Sequence, residues 1–583
     1  MSYIQMQDIK LGMDRKRASR IASELGSAWT IKNGHLTRGG DIERRKAFVK
    51  QNGSFPDTTF GLSSINETLY TNGYSAAQAG NVPSGVTHLL TQHPTPSTEI
   101  TSIKDAAAFD GTLYTILEFS DGNIYHFYGT TRVNDWDTLA STIGSNNAIA
   151  SALEAAIDNS AIVSATVSTN VVTVTALTTD LAFTITGATV NNGSTADETL
   201  TVVQTVAPSP GVAQVNTVTV GGTFETADQF TVTIDSVEIY TVTGASSGTG
   251  VSVLTFKQKL YSTAASNLYF SALNGPTQWI SGIDYGFINM ASQSAGQETL
   301  TVAQEYQGLM AIFSQNNIRV WSISEDSSAN VFLQTLQNTG TIAPGSVIPY
   351  GNNDVFYLDT SGVRSIKARD SSNAAYVSDV GTPIDTHVRA YMDTLTEAEI
   401  AAATGVVEPI DGRFWLGIKN RIYVLSYFPA AKITAWSYYE VDFEVQHFAK
   451  VGDRIYVRGR DAQEIDHLYL YGGPSNATYP EEDEDVITIE LPFFSADDPA
   501  SSKELIGFDI IATNDWIVDL LPEPGNDTVI ERLGTTEDIT YGEPRFGITG
   551  VSSLFAINLT CSAAGSATLS ALAMHYTGKF EDG

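Results

Sequence analysis

The chain has 583 residues, a formal net charge of −33 and a hydrophobic content of 42%. That apolar share supplies sizeable cores and excludes a disordered chain, and the length allows about four domains, or one large repeat architecture with an insertion. A single cysteine, Cys561, excludes an intramolecular disulfide framework and a cysteine-based zinc site. Only 17% of residues are charged, against about 25% in ordinary globular proteins. Thr, Ser, Gly, Asn, Val and Tyr fill the difference, a composition of strands and tight turns.

Residues 1–61 read as a basic, irregular N-terminal docking segment with one helical candidate, Arg15 to Leu25. Its opening stretch lacks the apolar h-region of a secretory signal, and no run of 18 apolar residues occurs anywhere in the chain, so no membrane span is expected. Positive charge is concentrated here. Residues 1–50 hold eleven Lys/Arg and five acids, net +6, whereas the remaining residues hold 21 and 60, net −39. At the other end, residues 475–583 hold twenty acids and four bases. Such asymmetry concerns partners and surfaces rather than fold.

From residue 62 to 129, β-type runs begin. The stretch "YTILEFSDGNIYHFYG" alternates apolar and polar residues around a Ser-Asp-Gly-Asn turn and predicts a hairpin. The texture changes near Thr130. "NNAIASALEAAIDNS" has helical spacing and good N-caps in Asn146 and Asn147. The Thr/Val/Ala alternation after it makes half-buried strands. Residues 130–211 are therefore expected to form an inserted α/β module, and residues 212–256 a second inserted β module after "PSPG".

Residues 257–500 return to aromatic-rich hairpins. "GLMAIFSQNNIRVWSI", "GNNDVFYLDTSGVRSIKA", "GRFWLGIKNRIYVLSYF" and "VGDRIYVRGRDAQEIDHLYLYGG" each read as strand, tight polar turn, strand. Recurrence at roughly 40–50 residues suggests β-propeller blades. Residues 501–583 read as C-terminal strands closing the core. The expected fold class is mainly β: a β-propeller-like core with inserted small β-sandwich or α/β modules.

No catalytic constellation stands out, and the chain is read as not an enzyme and without a cofactor. The eight His residues show no HExxH spacing, and no G-x-S-x-G elbow is present. The glycines of "VTVGGTFETAD" sit in a hairpin rather than between strand and helix. The acidic run Glu481, Glu482, Asp483, Glu484 and Asp485 lacks the glycine alternation of an EF-hand, so it is expected to be a channel or surface loop. "NGHLTRGGDIERRKAF" (Asn33 to Phe48) contains one RGG, without the repeats or interleaved aromatics of a single-strand-binding groove. It is expected to dock the subunit on a neighbour through Arg38, Arg44, Arg45 and Lys46.

Several strings resemble the tail nozzle proteins of short-tailed bacteriophages, the tail tubular protein B-like group, related in role to packaged-DNA stabilisation proteins. They are "NGHLTRGGDIERRKAF", "LYFSALNGPTQWISG", "EYQGLMAIFSQNNIRVWSI", "LQNTGTIAPGSV" and "DVFYLDTSGVRSIKARDSSNAAYVSDVGTPID". The resemblance covers roughly residues 25–60 and 257–583. It implies a virion tail protein assembled in the host cytoplasm: a homohexameric ring below the portal and adaptor proteins, carrying tail fibre or spike proteins outside. Viral double-stranded DNA would pass through its lumen without sequence-specific binding. An acidic lumen suits that passage, because Lys/Arg contacts that release counterions would hold DNA in place.

Two other classes compete. A tail fibre or glycan-binding adhesin is permitted by aromatics expected to be exposed, such as Trp136, Tyr438 and Tyr439. A glycosidase on a propeller scaffold would need paired carboxylates about 5–9 Å apart, and no such pair is legible.

Overall fold

The computed structural model describes residues 2–6, 9–16, 20, 26–76, 80–92, 98–120, 122–140, 145–158, 160–190, 198–222, 228–243, 250–290, 298–368, 379–495, 501–526, 529–536 and 550–578. The helical candidate Arg15 to Leu25 lies largely outside them. The chain is mainly β, built largely from small sheets of three or four strands. It divides into two compact units, one of Met1–Leu90, Tyr306–Gly308 and Asn338–Gly583, the other of Thr91–Glu305 and Leu309–Gln337.

The first unit holds three blade-like sheets of three or four strands, and a fourth blade-like run of four strands that is one end of an eleven-stranded sheet. That run is Thr404–Val407, Phe414–Ile418, Arg421–Phe428 and Ile433–Glu440, and the next sheet is Glu444–Val451, Arg454–Arg460 and Asp466–Tyr471. They pack face to face: Trp415, Ile422, Val424 and Tyr439 of one share a core with Val445, Ile455, Val457 and Tyr469 of the other. The latter sheet takes its fourth strand from far upstream, Phe48–Ser54 pairing antiparallel with Asp466–Tyr471. An N-terminal strand thus completes that sheet.

The C-terminal segment, residues 501–583, packs against earlier strands as expected and makes a sandwich with the N-terminus. Lys503–Thr513 and Thr568–Gly578 pair with each other, and Thr568–Gly578 also pairs with Ile42–Arg44. The other layer contains Ile487–Glu490, Trp516–Leu521 and Ala556–Cys561, joined to the blade strand Ile433–Glu440 through Thr30–Lys32. Leu505, Phe508, Leu572 and Met574 from one layer share a core with Ile489, Trp516, Val518 and Leu559 from the other, as two twisted sheets do when apolar faces alternate with polar ones. The described part of residues 1–61 is thus not irregular. Four strands lie between Thr30 and Ser54, because Ile31, Leu36 and Ile42 have the apolar spacing that a sandwich core can bury. Cys561 is buried in that core as a small hydrophobe.

The second unit holds three blade-like sheets, starting with Ile100–Phe109, Thr112–Phe119, Ile124–Tyr128 and Thr131–Arg132. The expected hairpin is present, with Tyr114 opposite Tyr128 and Glu118 opposite Ile124. Between the first and second of these sheets sits the inserted module. Its helix, Asn146–Ile157, is capped by Ser145 rather than Asn146, the Ser145 hydroxyl accepting from the Ala148 amide. The boundary expected at residue 211 does not exist. Val171–Ala176 pairs with Val215–Gly221, and Ile185–Val190 pairs with Gln229–Ile234. Residues on both sides of the boundary, including Leu153, Val172, Val218 and Val232, fill one core. Strand alternation placed every second Val correctly, but pairing between distant strands is invisible to a local period.

Candidate functional site

The sequence singled out the stretch Asn33 to Phe48 and the acidic run Glu481 to Asp485, and the fold brings the two together. Ile42–Arg44 is a sandwich strand; Arg44 ends it and Arg45 follows it, and both are buried, at 0% and 1% exposure. Arg44 spends its guanidinium on main-chain carbonyls: Nη1 donates to Ala563 O at 2.5 Å and Gly565 O at 3.3 Å, Nε to Asp485 O at 3.4 Å, and Nη2 to Glu484 O. Burial pulls its pKa down from the ordinary arginine value. Arg45 Nη2 pairs with Asp485 Oδ1 at 2.5 Å, and Nη1 donates to Lys46 O at 3.0 Å. Its guanidinium also lies 5.1 Å from the Phe48 ring centroid. Burial pushes the Asp485 carboxyl up, and Arg45 opposes that rise.

These contacts correct the docking expectation for Arg44 and Arg45. A buried guanidinium must find acceptors inside the fold or lose several kcal/mol, on the order of the desolvation penalty of an ion, so both act as internal staples. Arg38 is different. Its side chain is 64% exposed, with Nε 3.1 Å from Asp411 Oδ1. Of the acidic run, Glu481, Glu482, Asp483 and Glu484 are exposed while Asp485 is turned in. The run is pinned as a turn by Asp483 N donating to Ser562 O at 2.8 Å and Glu484 N to Glu481 O at 3.2 Å.

Beside the basic stretch lies a polar cleft of about 210 Å³, lined among others by His35, Glu43, Lys46, Asp411, Arg413, Asp453, Tyr471, Asn476 and Tyr479. One wall is tied together by Asp411, which accepts Arg38 on one oxygen and Arg413 Nη1 on the other at 2.7 Å. On the other wall the Tyr479 hydroxyl donates to Glu43 Oε1 at 2.6 Å. Lys46 Nζ has Asn476 Oδ1 at 3.3 Å as its acceptor. His35 meets the Tyr439 hydroxyl at Nδ1, 2.8 Å away, and burial, with Arg413 and Lys46 nearby, holds its pKa well below the ordinary value. Buried and neutral, it packs as a polar core residue. Among the described residues no group of three or more His, Cys, Asp or Glu could hold a metal ion.

Other staples escaped sequence reading. Arg458 donates to Asp466 at 2.6 Å, to Thr59 O at 2.7 Å and to Gly61 O at 3.1 Å, joining two blade-like sheets. Its carbonyl acceptors lie almost 400 residues upstream, so no local signal marks it. Trp136, Tyr438 and Tyr439, expected to be exposed, are 0%, 7% and 0% exposed. Trp136 lies on the helix Asn134–Ala140, and Tyr438 and Tyr439, successive residues of one strand, enter cores on its two opposite faces. Trp136 stacks on His126 at 3.8 Å, and Tyr439 packs edge-on to Trp415.

No family model and no curated protein matches the chain. Among solved structures, it is similar to the Neurospora crassa Pan2 WD40 domain, with 9% identity, a TM-score of 0.23 and coverage of 44% of this chain and 76% of that one. The AfRom2 CNH domain gives 12%, 0.25, 47% and 86%. The Malassezia sympodialis allergen Mala s 1 gives 10%, 0.25, 44% and 90%.

Proposed function

We propose that this chain is the subunit of a phage tail nozzle, a ring of six copies below the portal and adaptor proteins through which the genome is retained and then leaves. The observation that carries this reading is how the fold disposes of its cations. Arg44, Arg45, Arg413 and Arg458 are buried and committed to internal carbonyls and carboxylates, while Glu481, Glu482 and Asp483 stay at the surface. A chain already at −33 thus withholds these four cations from a polyanion. Phosphate contacts, which release counterions and dominate non-specific DNA affinity, are kept low, as a conduit requires. The motif resemblance supports the same reading. Of the docking residues, Arg38 remains the accessible candidate for the adaptor contact. Lys46 faces the polar cleft, and six such weak contacts acting together would supply avidity.

The test is native mass spectrometry and negative-stain imaging of the purified protein, alone and with adaptor protein. A six-fold ring, or a monomer that becomes six-fold on the adaptor, is expected. A stable trimer that binds host cells, or a monomer indifferent to every tail component, would overturn the reading.

A further inference from the structure

The polar cleft beside the basic stretch holds more hydrogen-bonding capacity than the fold uses. Part of its lining is spent. Asp411 is taken up by Arg38 and Arg413, Arg413 also donates Nε and Nη2 to Leu36 O, and Glu408 accepts the Ile410 and Asp411 amides. Four other groups keep capacity to spare. Glu43 accepts the Tyr479 hydroxyl on Oε1, while Oε2 has no hydrogen-bond partner among the described residues and lies 4.0 Å from His35 Nε2. His35 is 5% exposed and makes its hydrogen bond at Nδ1, with Tyr439, so Nε2 is left without one at the cleft. Lys46 Nζ can donate three times, but it has a single acceptor, Asn476 Oδ1 at 3.3 Å, and no ion pair among the described residues. The exposed Asp453 carboxylate has no partner among the described residues.

These unspent groups differ in sign, which selects the ligand. A free anion would gain Lys46 but face Glu43 and Asp453. A free cation would gain those carboxylates but face Lys46. A neutral hydroxyl satisfies both, because its O–H donates to a carboxylate while its oxygen accepts from an ammonium, and hydrogen bonds to charged groups are the stronger kind. Tyr471 and Tyr479 add ring surface to the lining, on which the C–H face of a sugar packs and for which a small zwitterion has no apolar face. The cavity of about 210 Å³ equals the liquid-volume share of about seven waters at roughly 30 Å³ each, room for one sugar ring rather than a chain of them. We infer that this cleft binds a single sugar unit, its hydroxyls held by Glu43, Lys46, Asp453 and His35. The nozzle reading is not needed for this inference.

The experiment uses the full chain and the free sugars D-glucose, D-galactose, D-mannose and N-acetyl-D-glucosamine, each titrated by saturation-transfer difference nuclear magnetic resonance. Glycine and inorganic phosphate are the charged controls. At least one sugar is expected to bind, and neither control is. Lys46→Met and Asp453→Ala remove side chains that the fold uses little, and each is expected to weaken the sugar at least about tenfold, the worth of a hydrogen bond to a charged group, with circular dichroism and thermal midpoint unchanged. Binding of none of the sugars, or sugar binding that ignores both variants, would overturn the proposal. So would binding of glycine or phosphate that Lys46→Met abolishes, because the cleft would then be a site for a charged solute.

Discussion

Arg45 and Asp485, from opposite ends of the chain, form an ion pair at 2.5 Å with the guanidinium 2% exposed and the carboxylate 31% exposed. The pair draws the acidic run onto the basic strand, and the neighbouring Arg44 secures the same turn through Glu484 O and Asp485 O. A segment whose charge suggests an external contact is therefore a clamp within the sandwich.

Removing that clamp should destabilise the fold. Arg45→Ala leaves Asp485 without its partner and is expected to cost about 2–3 kcal/mol, less than the roughly 3–5 of a fully buried pair because the carboxylate retains some water. Arg44→Ala, which strands several carbonyls, should cost about as much. Arg38→Ser, at an exposed position, should cost under about 0.5 kcal/mol. Urea unfolding of the three variants measures this. Equal midpoints would contradict the clamp.

Gly12 sets a second constraint. Its φ is +63°, and a Cβ there would lie 2.6 Å from the Trp436 amide nitrogen and 2.7 Å from Ala435 Cα. Both are main-chain atoms of a central strand and cannot swing aside. Gly12→Ala should combine left-handed strain with overpacking and lower stability by about 2–4 kcal/mol, read as a drop in thermal midpoint. Gly565→Ala has positive φ but open space around its Cβ, so it should cost only about 1 kcal/mol.

Stability should fall as the medium is acidified below the ordinary histidine pKa. His35 and His126 are buried, at 5% and 0% exposure, and burial holds both pKa values well below 6.5. Above about 6.5 both states are neutral and the groups contribute nothing to the pH dependence. Below it the unfolded chain takes up protons that the folded chain refuses, so stability is lost at up to about 1.4 kcal/mol per pH unit for each histidine. Urea midpoints compared at about pH 7.5 and about pH 5.5, on either side of the ordinary histidine value, measure the loss. His126→Phe should flatten part of the slope, and an unchanged slope would contradict the assignment.

The short helix Glu397–Ala401 adds a loss of the same sign at lower pH. Thr396 and Glu399 form a capping box, and Lys419 Nζ lies 2.6 Å from Glu399 Oε1. Chiefly through Lys419, the Glu399 carboxyl is held down at about 2. Its stabilising contribution is present above the ordinary value of 4.5 and is lost as pH falls through about 2. Nuclear magnetic resonance titration of Glu399 should place its midpoint well below that of an exposed glutamate, and Lys419→Met should raise it toward the ordinary value. Thr396→Ala should cost about 1 kcal/mol.

What the sequence determined by itself was local. Alternating Val and Thr, aromatic pairs around tight turns and one amphipathic helix placed the hairpin of Thr112–Phe119 and Ile124–Tyr128, the blade-like sheets of residues 309–471 and the helix Asn146–Ile157, because a period of about two or about 3.6 is set by the backbone geometry of the nearest residues. Tertiary structure decided everything that depends on distant partners. Phe48–Ser54 completes a sheet of residues 444–471, cross-strand partners such as Val172 and Val218 merge two expected modules into one, and Arg44 and Arg45 turn inward. A charge count gives the sign and number of cations. Whether each meets solvent or a carbonyl is set by which strands bring acceptors alongside it, and for Arg44 those acceptors lie more than four hundred residues away in the chain.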